Sequence, residues 1–357
     1  MPDWAMSGRR DAYRFVTADP FTLSDVGQIE MIPSECSITY GYYTDNYATA
    51  RLTAPDSYDG GLIRIYHNVT LPDGTDEEEC LGTFFVDSVE RNATAGMVRQ
   101  SMDCYSTLWR LSQDALAEDY VVARNTVCLN GLGGLITAEG ARAMVYPGVD
   151  AEKTHTIDFR IATGENRLDA VNAYAGWCGW TVGVDDYGYQ TIEVYTPPAN
   201  RSPSYTFEAG ANCVYVPDSS ETFTGDVCNR VVARWSREKA PDGFNGVTSM
   251  RSVADLPKGN PYSFEACGRR ITHVLDVDPC SQAELNAKAQ QYLAQHDAAI
   301  RYFEIEHVGI PYLRPGMTVT YIDERNEDAL LCEVTQMDIG TLGPLCMTKT
   351  KLKVVDA

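Results

Sequence analysis

The chain has 357 residues, of which 44% are hydrophobic, 22% charged and 10% aromatic, the balance of an ordinary soluble globular protein and not of a disordered one, with length for two or three domains. Fifty acidic side chains against 29 basic ones give a net charge of −21, which repels a phosphate backbone and argues against a conventional DNA- or RNA-binding domain. No run approaches the ~20 apolar residues of a bilayer span, and the N-terminus MPDWAMSGRRDAYRF lacks an apolar signal core, so synthesis in a cytoplasm without Sec-type export is expected.

Residues 1 to about 104 read as β structure. Cys36–Tyr40 and Gly61–Tyr66 alternate along their length, and Leu81–Glu90 forms a longer strand. Pro72–Glu79 between them reads as a solvated hairpin tip, because its acids lack the alternate spacing around a central Gly that a calcium loop needs. A turn near Asn92–Gly96 leads into a strand over Met97–Asp103. Asp103 then suits the cap of a helix running to about Glu118, with Leu108, Leu111 and Ala115 on one face.

Asn130–Gly134 lacks the GxGxxG spacing of a dinucleotide loop and reads as a flexible loop. His155–Ile161 reads as a strand. Leu168, Val171, Ala175 and Cys178 recur at the spacing of one helix face, and Trp180–Val184 with Tyr189–Tyr195 forms a hairpin across Asp185–Gly188. Thr196–Pro203, rich in proline, has the composition of a linker. Beyond it, strands are expected over Cys228–Trp235 and Arg270–Asp276, with a Gly/Pro-rich loop over 240–262. Ser281 and Glu284 have capping-box spacing and open a helix that turns Leu285, Ala289, Tyr292 and Leu293 inward. Tyr302–Val308, Leu330–Thr335 and Met347–Val355 are further strands. Pro315 and Gly316 suit the centre of a type II turn, followed by an alternating run to Ile322.

No catalytic constellation emerges from these elements. The 11 cysteines are odd in number and none sits at CxxC spacing, which fits reduced, buried thiols; Trp177–Trp180, WCGW, has no second cysteine for redox work. The five histidines are scattered, with no HExxH and no His/Asp cluster, so no metal ligand, catalytic residue or cofactor-binding residue is assigned. Glu304 and Glu306 share a strand face, a weak echo of the paired carboxylates of glycosidases. The 21 tyrosines outnumber the 10 phenylalanines two to one, which suits half-buried strands and protein interfaces.

The order of elements carries more. LGTFFVDSVERNATAGMVRQSMDCYSTLWRL at 81–111, then CNRVVARW, CSQAELNAKAQQYLAQ and HVGIPYLRPGMTVTYID, resembles the tail hub proteins of bacteriophages, also called baseplate hub or tail-associated proteins. The segment Leu168–Tyr195, a helix ending in Gly-Trp and then a hairpin, looks like the middle domain of such hubs. The resemblance implies an α+β, mainly β protein: two tail-tube-like β-barrel domains, 1–108 and 204–357, joined by a smaller mixed α/β domain, 109–203. It implies a homotrimer that forms a pseudo-sixfold ring, adapts a sixfold tube to a threefold tip, and passes the tape measure protein and then DNA through its channel. The implied partners are the distal tail or tail-tube protein, the tape measure protein and tail-tip or fibre proteins. DNA is met only in transit, without stable binding, and the implied location is the virion tail, assembled in the host cytoplasm. Some family members carry a C-terminal peptidase or cell-wall hydrolase domain; this chain ends soon after its last expected strand, so no enzyme activity is expected. Two other readings stand beside this one, a carbohydrate-binding or carbohydrate-degrading β-protein and the hub of a phage-related injection machine.

Overall fold

A computed structural model describes every residue except 1–3, 5–6, 43, 57, 59, 95–96, 139, 156–157, 216–220, 224–226, 238, 241–243, 278–279, 297–299, 323–328 and 356–357. In chain order the elements begin with β1 (Arg10–Ala18), β2 (Asp25–Ile29), β3 (Ser37–Gly41), β4 (Ala48–Ala54), β5 (Leu62–Thr70), β6 (Asp76–Thr94) and β7 (Met97–Ser106). A mixed stretch follows, with α1 (Trp109–Ser112), β8 (Tyr120–Val122), α2 (Cys128–Thr137), β9 (Ala143–Val145), β10 (Phe159–Ile161), α3 (Arg167–Cys178), β11 (Trp180–Val184) and β12 (Gln190–Val194). Then come β13 (Thr206–Glu208), β14 (Cys213–Tyr215), β15 (Glu221–Phe223), β16 (Arg230–Ser236), β17 (Ser249–Asp255), α4 (Phe264–Cys267), β18 (Thr272–Asp276) and α5 (Gln282–Gln295). The last strands are β19 (Ile300–Val308), β20 (Thr318–Ile322), β21 (Ala329–Ile339) and β22 (Met347–Val354). The protein is mainly β, as expected. It divides into two compact units, Met1–Asp218 with Glu304–Val355, and Ser219–Phe303.

The first unit is built on one large sheet of order β14-β19-β22-β21-β3-β4-β7-β6-β5-β1-β2, with β20 pairing β21 and β13 lying parallel to β20. Strands from the two ends of the chain meet where β3 pairs β21, Ile38 opposite Ile339 and Gly41 opposite Gln336. That pairing explains the departure from the expected pair of barrels. N- and C-terminal strands share hydrogen bonds in one sheet, and no closed barrel is present among the described strands. Ile38, Leu52, Ile63, Ile65, Phe84, Tyr321, Val334 and Leu352 are all fully buried on it.

Four local expectations are corrected. The acidic run Asp76–Glu79 belongs to β6, not to a hairpin tip: the turn closes earlier, with the Leu71 N–H donating to Thr75 O at 2.8 Å, and Asp76 pairs with Thr70. Instead of a helix from Asp103 to Glu118, β7 runs on to Ser106, because its residues are laddered to β4 on one side and β6 on the other; only one turn, α1, follows. The glycine-rich stretch at 130–134 is helical, within α2, whose Cys128, Leu132, Leu135 and Ile136 are buried against α3. Within the 240–262 loop, Ser249–Asp255 is a strand, all seven residues paired with β16. Of the strand expected at His155–Ile161 only Phe159–Ile161 is formed, with 156–157 outside the described residues; residues 95–96 of the turn near Asn92–Gly96, 241–243 of the long loop and Asp323 also lie outside them.

Where periodicity was strong the elements match. Helix α3 buries Leu168, Val171, Tyr174, Ala175 and Cys178, and the Asn166 side chain caps it by accepting from the Leu168 and Asp169 N–H groups. In the second unit β17-β16-β18 form a three-stranded sheet covered on one face by α5, which opens with the Ser281/Glu284 capping box and buries Leu285, Ala289 and Leu293. A helix of 14 residues is marginal alone in water, so burial of two leucines, each contributing about 1.5–3 kcal/mol, is what holds it. Among the described residues no helix is long and apolar enough to cross a membrane. None of the 11 cysteines is in a disulfide, and all but Cys267 are buried.

Candidate functional site

The Pro315–Gly316 turn leads to a heavily bonded polar junction of the first unit. Gly316 has a φ of +89°, which a side chain rarely adopts, and a Cβ there would overlap the Tyr42 ring. Just before it, Arg314 is buried and all of its guanidinium nitrogens are used. Nε meets the Asp186 carboxylate at 2.9 and 3.1 Å, Nη2 donates to Cys80 O at 2.6 Å, and Nη1 donates to Pro311 O and Leu313 O at 2.8 and 2.7 Å. Burial works against this charge and the adjacent Asp186 carboxylate, with Tyr40 and Tyr47 nearby, works for it; on balance the guanidinium is held above its ordinary pKa.

Asp186 lies at the tip of the β11–β12 hairpin, and the tip is fastened from several strands at once. Thr83 Oγ1 donates to Asp186 O at 2.8 Å, Arg64 Nη2 to Tyr187 O at 2.9 Å, and Thr107 Oγ1 to Gly188 O at 2.9 Å. Arg64 is itself buried and paired with Asp25 at 2.6 Å. These groups bind β5, β6, the end of β7, the middle hairpin and the Pro-Gly turn into one polar knot.

Beside the knot lies a cleft of about 900 Å³, lined in part by Tyr42, Tyr47, Asp185, Glu193, Arg201 and Arg314. Burial pushes the Asp185 carboxyl up, opposed by the Tyr189 N–H that donates to it at 2.8 Å. Glu193 accepts from Thr191 Oγ1 at 3.1 Å, and Arg201 donates to Gly316 O and to Thr196 O. Neither histidine nor cysteine lines the cleft. Asp185, Arg201 and Arg314 are engaged in holding backbone, an arrangement suited to fixing shape. Glu304 and Glu306 lie half-buried on one face of β19 and do not line this cleft.

A second candidate surface is the uncovered face of the β17-β16-β18 sheet. Val232 stands opposite Val253 on one side and Val274 on the other, and the last two are 50% and 45% exposed. Cross-strand pairs Arg230–Asp255 at 2.6 Å and Arg234–Asp276 at 2.7 Å flank this valine row. An exposed apolar row rimmed by ion pairs has the layout of a protein-contact face.

The histidines fall in different settings. His67 is buried against Asp11, Nε2 to Oδ1 at 2.6 Å, and His307 is buried on β19 with Nε2 bonded to Thr350 Oγ1 at 2.8 Å. His273 is exposed and stacks on Tyr292. His155 is not isolated: its Nδ1 lies 3.8 Å from Cys128 Sγ, and Cys178 completes a buried group of three soft donors. Spacings of 27 and 23 residues, with no CxxC pair, leave no motif to find in the sequence. The Arg314–Asp186 pair is equally silent there, its partners being 128 residues apart.

No protein-family model matches the chain, and no curated protein matches it. Solved structures do. The tail protein from Neisseria meningitidis MC58 matches 97% of this chain over 96% of its own, with a TM-score of 0.64 and 12% identity. The 43 kDa tail protein of prophage MuSo2 from Shewanella oneidensis matches 96% over 98%, with a TM-score of 0.61 and 12% identity. Prophage tail protein gp18 from Listeria monocytogenes EGD-e matches 95% over 94%, with a TM-score of 0.57 and 9% identity. Over nearly its whole length the chain therefore has the fold of phage tail proteins.

Proposed function

We propose that the chain is a structural component of a phage or prophage tail, the hub at the distal end of the tail tube, and that it works as a homotrimeric ring without enzyme activity. The observation that carries this reading is the coverage of the fold match, at least 94% of both chains in each comparison, so that nearly all of each neighbour's architecture has a counterpart here. In this reading 1–108 and 204–357 are the two tube-like halves that make three copies pseudo-sixfold, and 109–203 is the α/β part between them. The ring sits between the distal tail or tail-tube protein and the tail-tip or fibre proteins.

The charge fits a conduit. Three copies at −21 each sum to −63, and a negative lumen lets the tape measure protein and then a polyanion pass without being held. The polar knot around Arg314 and Asp186 keeps the frame of each subunit rigid, and the valine face of the second unit is a subunit or tail-protein contact. The test is electron microscopy of the purified chain together with a DNA mobility shift. Threefold particles with an open centre and no retardation of duplex DNA at tens of micromolar support the reading. Filled or asymmetric particles, or tight DNA binding, overturn it.

A further inference from the structure

We propose that Cys128, His155 and Cys178 hold a soft d10 metal ion, Zn²⁺ or Cu⁺, inside the core of the first unit. One sulfur comes from the first residue of α2, the other from the last residue of α3, and the imidazole from the loop between β9 and β10. All three residues are buried, at 1%, 2% and 5% exposure, and their donor atoms lie within 4.8 Å of one another.

The distances already approach those of a metal site. Zinc bonds of about 2.3 Å to sulfur and about 2.0 Å to nitrogen put tetrahedral ligands roughly 3.6 Å apart. Cys128 Sγ and His155 Nδ1 are 3.8 Å apart here. Buried thiols packed as small hydrophobes need no imidazole between them, and this imidazole is aimed. Its Nε2 is bonded to the Tyr174 hydroxyl, its ring stacks on Trp177 at 4.4 Å, and Nδ1 is left facing the sulfurs. Ligating histidines are oriented in this way, by a partner on the nitrogen away from the metal.

The backbone is tied at the same point. The Cys128 N–H donates to Lys153 O at 2.8 Å, the Asn125 N–H to His155 O at 2.8 Å, and Lys153 Nζ to Cys178 O at 2.7 Å. Two thiolates and an imidazole are the donor set that soft ions prefer over calcium or magnesium. On binding, two thiol protons leave and the ion takes their place. Zinc then completes its tetrahedron with a water, whereas cuprous copper is satisfied by three donors. The ion joins the two helices to the loop and is a structural fastener of the α/β part.

The test uses the full chain, reduced and purified without a metal-chelating tag. Metal analysis after growth with added zinc or copper is expected to find about one ion per chain and to say which. Titration with Co²⁺ should give the near-ultraviolet thiolate-to-cobalt band, weakened in Cys128→Ser and Cys178→Ser and kept in Cys280→Ser, whose thiol belongs to the other unit. Chelation should lower the melting temperature of the unaltered chain by about 5 °C or more. If the substituted chains do not fold, the unaltered chain decides alone. Absence of bound metal together with absence of a cobalt–thiolate band overturns the proposal.

Discussion

Replacing Arg314 by alanine is expected to cost the first unit about 4 kcal/mol, more than any single surface change. The side chain is only 8% exposed, and it serves the Asp186 carboxylate and the carbonyls of Cys80, Pro311 and Leu313. Truncation leaves the three carbonyls without these donors and strips the partner from Asp186, which is 28% exposed and regains part of its hydration from water. Breaking a buried pair on one side costs about 3–5 kcal/mol, and the partial exposure of Asp186 argues against the upper end. Arg99 is the internal control within the same unit: its pair with Glu35 is 52% and 34% exposed, so Arg99→Ala is expected to cost under about 1 kcal/mol. Urea unfolding followed by fluorescence in a Trp235→Phe background reads the first unit alone, since Trp4, Trp109, Trp177 and Trp180 all belong to it. Asp186→Asn combined with Arg314→Met should cost less than the sum of the two single changes. If Arg314→Ala is as mild as Arg99→Ala, the knot is not what fastens the hairpin to the sheet.

Other outcomes follow from the same contacts. Burial pushes His307 down from 6.5 to about 4, so the stability it contributes is complete above pH 6.5 and is lost as pH falls through 4; this is roughly 3 kcal/mol, and His307→Asn should flatten that part of a pH–stability profile. Gly131→Ala drives a methyl into the Tyr174 hydroxyl and should cost about 1–3 kcal/mol by thermal unfolding, whereas Gly133→Ala, which meets nothing, should be neutral or stabilising. Ser281→Ala removes the α5 cap and should cost about 1 kcal/mol in the second unit, read in the Trp235 signal. Val253→Glu, at a half-exposed position, should leave the monomer folded by circular dichroism and weaken assembly at least tenfold if the valine face is a subunit contact.

Much of the architecture was legible in the sequence, and the failures share one cause. Helix α3, the capped helix α5, the β11–β12 hairpin and the Pro315–Gly316 turn are each set by near neighbours: a 3–4 spacing, a Ser–Glu pair, a Gly-containing turn. The corrected segments are set by distant ones. Asp76–Glu79 is polar enough for a loop, yet pairs along β5; Ser249–Asp255 sits in a loop-like composition, yet finds β16. The glycines of α2 look like a breaker, and the purpose of two of them becomes visible only when Tyr174 fills the space beside Gly131 and Tyr120 the space beside Gly134. The same holds for function. The order of elements pointed to a tail hub, but Arg314 with Asp186, and Cys128 with His155 and Cys178, join residues that no local pattern links.

The central claim is that three copies make one ring, and native mass spectrometry of the purified chain at tens of micromolar measures this directly. The account predicts a dominant species of three times 39.4 kDa, that is 118.2 kDa, dissociating without stable dimers as the chain is diluted. A single species at 39.4 kDa, unchanged when the tail-tube and tail-tip proteins of the same particle are added, would contradict it.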